Sequence, residues 1–263
     1  MRLLRTSHLG PTLLVSAVSF FLAVPIWWEG SAFVIAFTVF TGQLVVGWTN
    51  DLADYETDLI EERKDKPLAM GTITIEKVIR ATKIALFFCI IFSLLGPLGF
   101  LGGSVHLLGV GFGVAYNFYF KSTKLSPLPY AIAFAALPAA ITLSKSIAPP
   151  LWLLFSGAGL GVASHFANVV KDFDRDIAAG IKGLPQLLGI RKSLICSGLI
   201  FLFVSLNLYS ATNLNFLLFL GIAGAIAIII FPPRLSFTLL MALALINVVV
   251  LITLGTGSLS SLV

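Results

Sequence analysis

Long apolar runs alternate with short polar breaks along the whole chain. The runs are about 18–22 residues long, the length of a helix that crosses a bilayer. They predict membrane-spanning helices near 11–28, 31–50, 78–98, 103–120, 128–145, 150–171, 193–211, 214–231 and 237–257. Breaks fall at Glu29-Gly30, Gly96-Pro97, Ser122 to Pro127, Pro149-Pro150, Thr212-Asn213 and Pro232-Pro233. Gly, Pro and charge punctuate helices in this way. The expected fold is all-α, a polytopic membrane bundle of about nine transmembrane helices forming one integral-membrane domain over residues 1–263. Only two polar segments interrupt it, about 51–77 and 172–192.

Composition and charge agree with that reading. Hydrophobic residues make up 58% and charged residues 11% of the 263, against roughly 25% charged in a soluble domain. In a nine-span arrangement, sixteen of the seventeen basic residues fall on one side and only Lys145 falls opposite. The positive-inside rule then places the N-terminus and the polar loops in the cytoplasm, with the C-terminus outside. This suits a protein of the cell (inner) membrane. The basic balance is thus an orientation signal; membrane lipid is the expected surrounding partner, and nucleic acid is not a partner. Arg2 and Arg5 precede a first run that is long and carries no evident cleavage site, so it reads as a retained helix. Cys89 and Cys196 sit in different apolar runs and read as free thiols.

The acids are distributed less evenly. Asn50, Asp54 and Asp58 stand at i, i+4 and i+8, with Asp51 beside them, and Asn168, Asp172 and Asp176 repeat the spacing 118 residues later. On an α-helix that spacing puts three side chains on one stripe. Both stripes end spans of the same direction, the second and the sixth, so both emerge on one face and can stand opposite each other across one cavity.

Carboxylates at a membrane boundary are costly, up to roughly 2.5–3.5 kcal/mol each at mid-bilayer on insertion scales, and a helix C-terminus has the wrong dipole for them. Several together, with two carboxamides, suit a hard divalent cation. Magnesium accepts such oxygens and keeps water and phosphate oxygens in its shell. The candidate metal ligands are therefore Asn50, Asp54, Asp58, Asn168, Asp172 and Asp176. Glu56, Glu61, Glu62, Asp65 and Asp174 read as solvated charges. Arg63, Lys66, Lys121 and Lys171 are the nearby cations that could meet a diphosphate.

These residues resemble the UbiA superfamily of intramembrane prenyltransferases. Asn50, Asp51, Asp54 and Asp58 meet its N-D-x-x-D-x-x-x-D motif, followed by Arg63, Lys66-Pro67-Leu68 and Gly71. Asp172, Asp176, Gly180 and Leu184-Pro185 meet the second motif, and the similarity spans the whole chain. The resemblance implies a nine-helix bundle around a central cavity. It further implies Mg²⁺ ions that bridge the aspartates to an isoprenyl diphosphate, and loops over 59–76 and 177–190 that cap the site. Ionisation of the prenyl diphosphate in a dry cavity, attack by an acceptor carbon (a small aromatic or another lipid-pathway molecule) and loss of a proton would follow. Asp51, Asp54 and Asp172 are the expected catalytic aspartates, and Asp51 is one candidate proton acceptor.

Two positions depart from the family pattern. Tyr116 to Lys121 is one residue longer than the usual Tyr-x-x-x-Lys, and position 183, commonly Thr, is Gly183. Tyr116 and His165 join the substrate-binding candidates, since His165 precedes Asn168 and Asp172 by three and seven residues. His8 and Arg5 are candidates for an anionic group on the acceptor, whereas His106 reads as structural. Two other readings use the same acids: a cation- or proton-coupled transporter, and a prenyl diphosphate cyclase on the same fold. The transporter is disfavoured because both stripes lie at one face and neither carries an internal Pro.

Overall fold

A computed structural model describes residues 3 and 6–254. Arg2, Arg5 and the end of the ninth predicted span lie outside the described residues. No strand occurs among those described. The elements are α1 (Leu9–Ala23), α2 (Glu29–Ala53), α3 (Tyr55–Ile60), α4 (Ile75–Leu95), α5 (Gly99–Ala115), α6 (Pro127–Leu143), α7 (Leu151–Ala178), α8 (Leu184–Leu188), α9 (Ile190–Thr212), α10 (Asn215–Ile230) and α11 (Pro233–Leu254). Setting aside the short α3 and α8, nine helices of the described residues stand where nine spans were expected. Five are long and apolar enough to cross a membrane: α2, α4, α5 with its extension to Phe120, α7 and α9. At 15 and 16 residues, α1 and α10 are shorter, and each stops just before a proline, Pro25 and Pro232.

The chain divides into two compact units, one made of residues 1–118 and 140–146, the other of 119–139 and 147–263. In the first unit α2 is the central helix, packed by α1, α4 and α5. Its core joins Leu44, Val45 and Trp48 of α2 to Val78, Ala85 and Cys89 of α4 and Val110 of α5. Leu68 and Ile73, from the loop between α3 and α4, are buried in the same cluster. That loop is thereby anchored, although its sequence is largely polar. Thr74 caps α4 by accepting from the Lys77 N–H at 3.4 Å. At another edge, Trp27 Nε1 donates to Ser144 Oγ at 2.8 Å, and Lys145 Nζ stands 3.7 Å over the Trp27 ring. The one basic residue expected on the opposite side is thus held by a cation–π contact.

In the second unit α9 takes the central place, packed by α7, α10 and α11. Ala167, Val170, Leu194, Phe201, Ile228, Leu240 and Leu243 form its core. Lipid offers helices no hydrophobic reason to associate, so close approach and polar contacts matter more. Gly161 provides the approach, since a Cβ there would run into the Tyr130 carbonyl. Ser197 Oγ donates to the Ala163 carbonyl at 2.8 Å, and Asn207 Nδ2 to the Trp152 carbonyl and Ser156 Oγ at 2.6 and 2.8 Å. Asn247 Nδ2 reaches Ser205 Oγ at 3.1 Å.

A π-helical turn, Tyr116–Phe120, continues α5. Cys89 and Cys196 are free thiols. His106 is buried with Nδ1 2.9 Å from Ser93 Oγ, the structural position its sequence context implied.

Candidate functional site

The first array forms where α2 ends. Asn50 and Asp51 occupy its last turn, Asp54 caps it, and α3 carries Asp58. The Asp54 N–H donates to the Asn50 carbonyl at 2.9 Å and the Asp58 N–H to the Asp54 carbonyl at 2.8 Å. The i+4 ladder therefore passes through the break between helices. The expected unbroken stripe is modified at its centre: Asp54 sits at φ −88°, ψ −3°, in the bridge region between helix and strand.

Asp51 projects from a neighbouring position on the same turn and is only 2% exposed. Its Oδ1 accepts a hydrogen bond from Lys66 Nζ at 2.5 Å and lies 3.3 Å from His8 Nε2. Its Oδ2 has no hydrogen-bond partner among the described residues. Lys66 Nζ is also 4.0 Å from Asp58 Oδ2, and Arg63 Nη1 is 3.5 Å from Asp58 Oδ1. Arg63 forks onto Asp65 through Nε and Nη2 at 2.7 and 2.6 Å. Burial pushes the Asp58 carboxyl above the ordinary aspartate range, with Lys66 and Arg63 pulling against it and Asp54 and Asp51 adding to it. The Arg63 hydrogen bond holds Asp65 well below that range. His8 reaches Asp51 because the N-terminal segment is pinned to α2, where Trp48 Nε1 donates to the Leu3 carbonyl at 3.0 Å.

Asn50 is oriented by Asn117 from the π-helical turn. Asn50 Nδ2 donates to Asn117 Oδ1 at 3.4 Å, while Asn117 Nδ2 donates to the Val46 carbonyl and Thr49 Oγ1, each at 3.0 Å. This arrangement commits the Asn50 amide group and leaves its carbonyl oxygen for another partner. Tyr116, on the same turn, is half-buried.

The second array lies in the other unit, on α7. Asp172 departs from helical torsions (φ −110°, ψ 15°) and kinks the helix, so this stripe too bends at its central carboxylate. Asn168 is exposed and Asp172 and Asp176 are half-buried. Arg175 Nη1 donates to Asp172 Oδ1 at 3.0 Å, and Gln186 Nε2 to Asp176 Oδ2 at 2.7 Å. His165 is buried, with Nε2 3.0 Å from Ser126 Oγ and its ring 4.7 Å from that of Tyr130. Ser126 also accepts from the Leu184 N–H at 3.1 Å, which ties α8 to the loop after the π-helical turn. Lys121 is half-buried in that loop, and Lys171 is exposed.

Within the first unit the structure thus gathers Asp51, Asp58, Arg63 and Lys66. Glu56, Glu62, Asp65 and Asp174 are exposed, as solvated charges are, while Glu61, which caps α3, is half-buried. Sequence reasoning offered His8 for an anionic group on the acceptor, whereas here it faces Asp51, and it missed the positioning roles of Asn117, Ser126 and Gln186. For Asn117 and Gln186 the signal is a polar side chain in an otherwise apolar stretch, such as Gln186 within Leu184-Pro-Gln-Leu-Leu188. Among the described residues no three His, Cys, Asp or Glu side chains converge closely enough to hold a metal ion by themselves.

No curated protein matches the chain. Several solved structures share its fold at 14–16% identity. A UbiA homolog from Archaeoglobus fulgidus, solved bound to GPP and Mg²⁺, is 14% identical, with 99% of this chain and 100% of that one covered and a TM-score of 0.71. A UbiA homolog from Aeropyrum pernix K1 is 15% identical over 90% and 95% of the two chains, with a TM-score of 0.72. A digeranylgeranylglyceryl phosphate synthase is 16% identical over 97% and 95%, with a TM-score of 0.63. The model of the UbiA prenyltransferase family matches residues 10–238, taking in both arrays, the loop that carries Lys66 and the Leu184-Pro185 motif. On that match across most of its length, the chain belongs to the UbiA prenyltransferase family.

Proposed function

We propose that the protein transfers a prenyl group from an isoprenyl diphosphate to an acceptor within the membrane, with Mg²⁺ as its cofactor. The observation that carries this reading is the pair of equally spaced Asn/Asp arrays at the ends of membrane-length helices, in a chain of a prenyltransferase family. The Archaeoglobus relative bound to GPP and Mg²⁺ supports the donor class and the metal. The acceptor is a small aromatic or another lipid-pathway molecule.

The donor set fits magnesium. It consists of hard carboxylate and carboxamide oxygens, including a buried Asp58 whose carboxyl is raised by desolvation and would gain from a cation. That no three acids converge is also compatible, because Mg²⁺ commonly takes one or two carboxylates and completes its shell with water and phosphate. When bound, the ion would neutralise diphosphate charge and ease departure of the leaving group.

The chain's own residues divide the remaining work. Asn50, Asp54, Asp58, Asn168, Asp172 and Asp176 supply the metal-binding oxygens. Arg63 and Lys66 stand within 3.5 and 4.0 Å of Asp58, where their charge supports phosphate oxygens. Lys121, Lys171 and Tyr116 would add to the diphosphate-binding groups, and His165 braces Ser126, which holds the start of α8. Asp51 holds Lys66 and His8, and its unpartnered Oδ2 is available to take a proton. Apolar spans keep water from a reactive allylic fragment. The basic flanks of these segments would orient them to the cytoplasm.

The test is turnover by purified protein in lipid nanodiscs, supplied with Mg²⁺, a labelled prenyl diphosphate and an acceptor library read by mass spectrometry. Pyrophosphate release that stops on chelation and returns with Mg²⁺, together with a prenylated product, is expected. Release of pyrophosphate without a prenylated acceptor, or turnover indifferent to chelation, would overturn the reading.

A further inference from the structure

We infer that Gln186 is a positioning residue for Asp176 and that Gly183 is what makes room for it, an inference that rests on the reading of Asp176 as a metal-binding carboxylate. Gln186 is 8% exposed, and its Nε2 donates to Asp176 Oδ2 at 2.7 Å. Its Oε1 has no partner among the described residues. A buried carboxamide with an idle acceptor is a poor packing residue, because Leu would fill similar space without desolvating a polar atom. What the amide does provide is the donor to Asp176.

The space around it is equally particular. A Cβ on residue 183 would lie 2.6 Å from Gln186 Oε1, 2.7 Å from the Lys121 carbonyl and 3.1 Å from Ser126 Oγ. Any side chain at 183 would therefore contest the position of the amide. The helix that bears Gln186 is fixed at its first two residues: the Leu184 N–H donates to Ser126 Oγ at 3.1 Å, and Ser193 Oγ donates to the Pro185 carbonyl at 3.0 Å. The donor is thus held still while its target carboxylate is half-buried.

Neutrality of the donor matters chemically. An Arg or Lys at 186 would cancel the charge of Asp176, as Lys66 does for Asp51. An amide fixes the rotation of the carboxylate without bringing a positive charge of its own against it. Neutral hydrogen bonds behind metal-binding groups typically change metal affinity by about 10–100-fold.

The experiment titrates Mn²⁺, followed by electron paramagnetic resonance, into the full-length protein with a non-reactive prenyl thiodiphosphate, and measures thermal unfolding alongside. Gln186→Leu removes the donor and retains the packing, while Gln186→Glu retains the shape and adds a like charge. Both should weaken Mn²⁺ binding by about 10–100-fold, with the melting temperature of Gln186→Leu held or raised. Binding within about twofold of wild type in both variants would overturn the inference. Failure of the wild-type protein itself to bind Mn²⁺ would instead overturn the metal reading beneath it. If Gln186→Leu does not fold, Gln186→Asn carries the same test, since its amide falls one methylene short of Asp176 and should show the same loss.

Discussion

Asp51 Oδ1 accepts a hydrogen bond from Lys66 Nζ at 2.5 Å, which fastens the loop after α3 to the last turn of α2. Both side chains are largely buried, 2% and 13% exposed. Removing one member strands the other, at a cost of about 3–5 kcal/mol for a buried pair. Asp51→Asn and Lys66→Met should each lower the melting temperature and speed proteolysis between residues 61 and 74. The double variant should be less damaged than the sum of the two, and additivity in a double-mutant cycle would count against the coupling.

Asp54 and Asp172 are the central carboxylates of their arrays. Asp54→Asn and Asp172→Asn should each reduce Mg²⁺-dependent pyrophosphate release by more than about 100-fold, beyond the range typical of residues that act behind a ligand. Melting temperatures should be preserved. Normal turnover in both variants would remove these residues from the chemistry.

Asp58 yields a pH dependence with a definite sign. Its folded carboxyl is raised, first by burial, above the ordinary value of 3.8. Folding therefore tightens proton binding relative to the unfolded chain, and the stability this contributes is lost as pH rises through the raised value. Without metal, Asp58→Asn should raise the melting temperature at neutral pH, by an amount that shrinks toward pH 4. Added Mg²⁺ should stabilise wild type more at neutral pH than at acidic pH, and equal stabilisation at both would contradict the assignment.

Gly183→Thr installs the residue the family commonly carries, yet the Lys121 carbonyl and Gln186 Oε1 already occupy its space. Overpacking of this kind costs about 1–3 kcal/mol. Thermal denaturation should show the loss, and a neutral substitution would mean that the 121–126 loop yields easily.

Much of this was legible in the chain. The apolar runs mark nine helices among the described residues, because a bilayer imposes their length, and the outer members of each i, i+4, i+8 array lie on helices as the spacing requires. The bends at Asp54 and Asp172 were not legible, since periodicity assumes regular torsions. Nor was the order of the loop bearing Lys66: Leu68 and Ile73 look like isolated apolar residues until both are seen in the α2–α4 core. The extra residue between Tyr116 and Lys121 also gains a physical account. A π-helical turn closes with i→i+5 hydrogen bonds and so takes up one residue more than an α-turn, and Tyr116–Phe120 adopts that turn. Gln186 escaped notice because its partner Asp176 is ten positions away and on another helix.

Both central aspartates have ψ near zero, −3° at Asp54 and 15° at Asp172. Each trio of oxygen donors consequently has a joint in the middle instead of a rigid rail. Turning one peptide plane there alters the gap between the outer two donors while the long helices keep their packing. The spacing of the outer two side chains in each array is thus set by the torsions of one residue and not by helix periodicity alone.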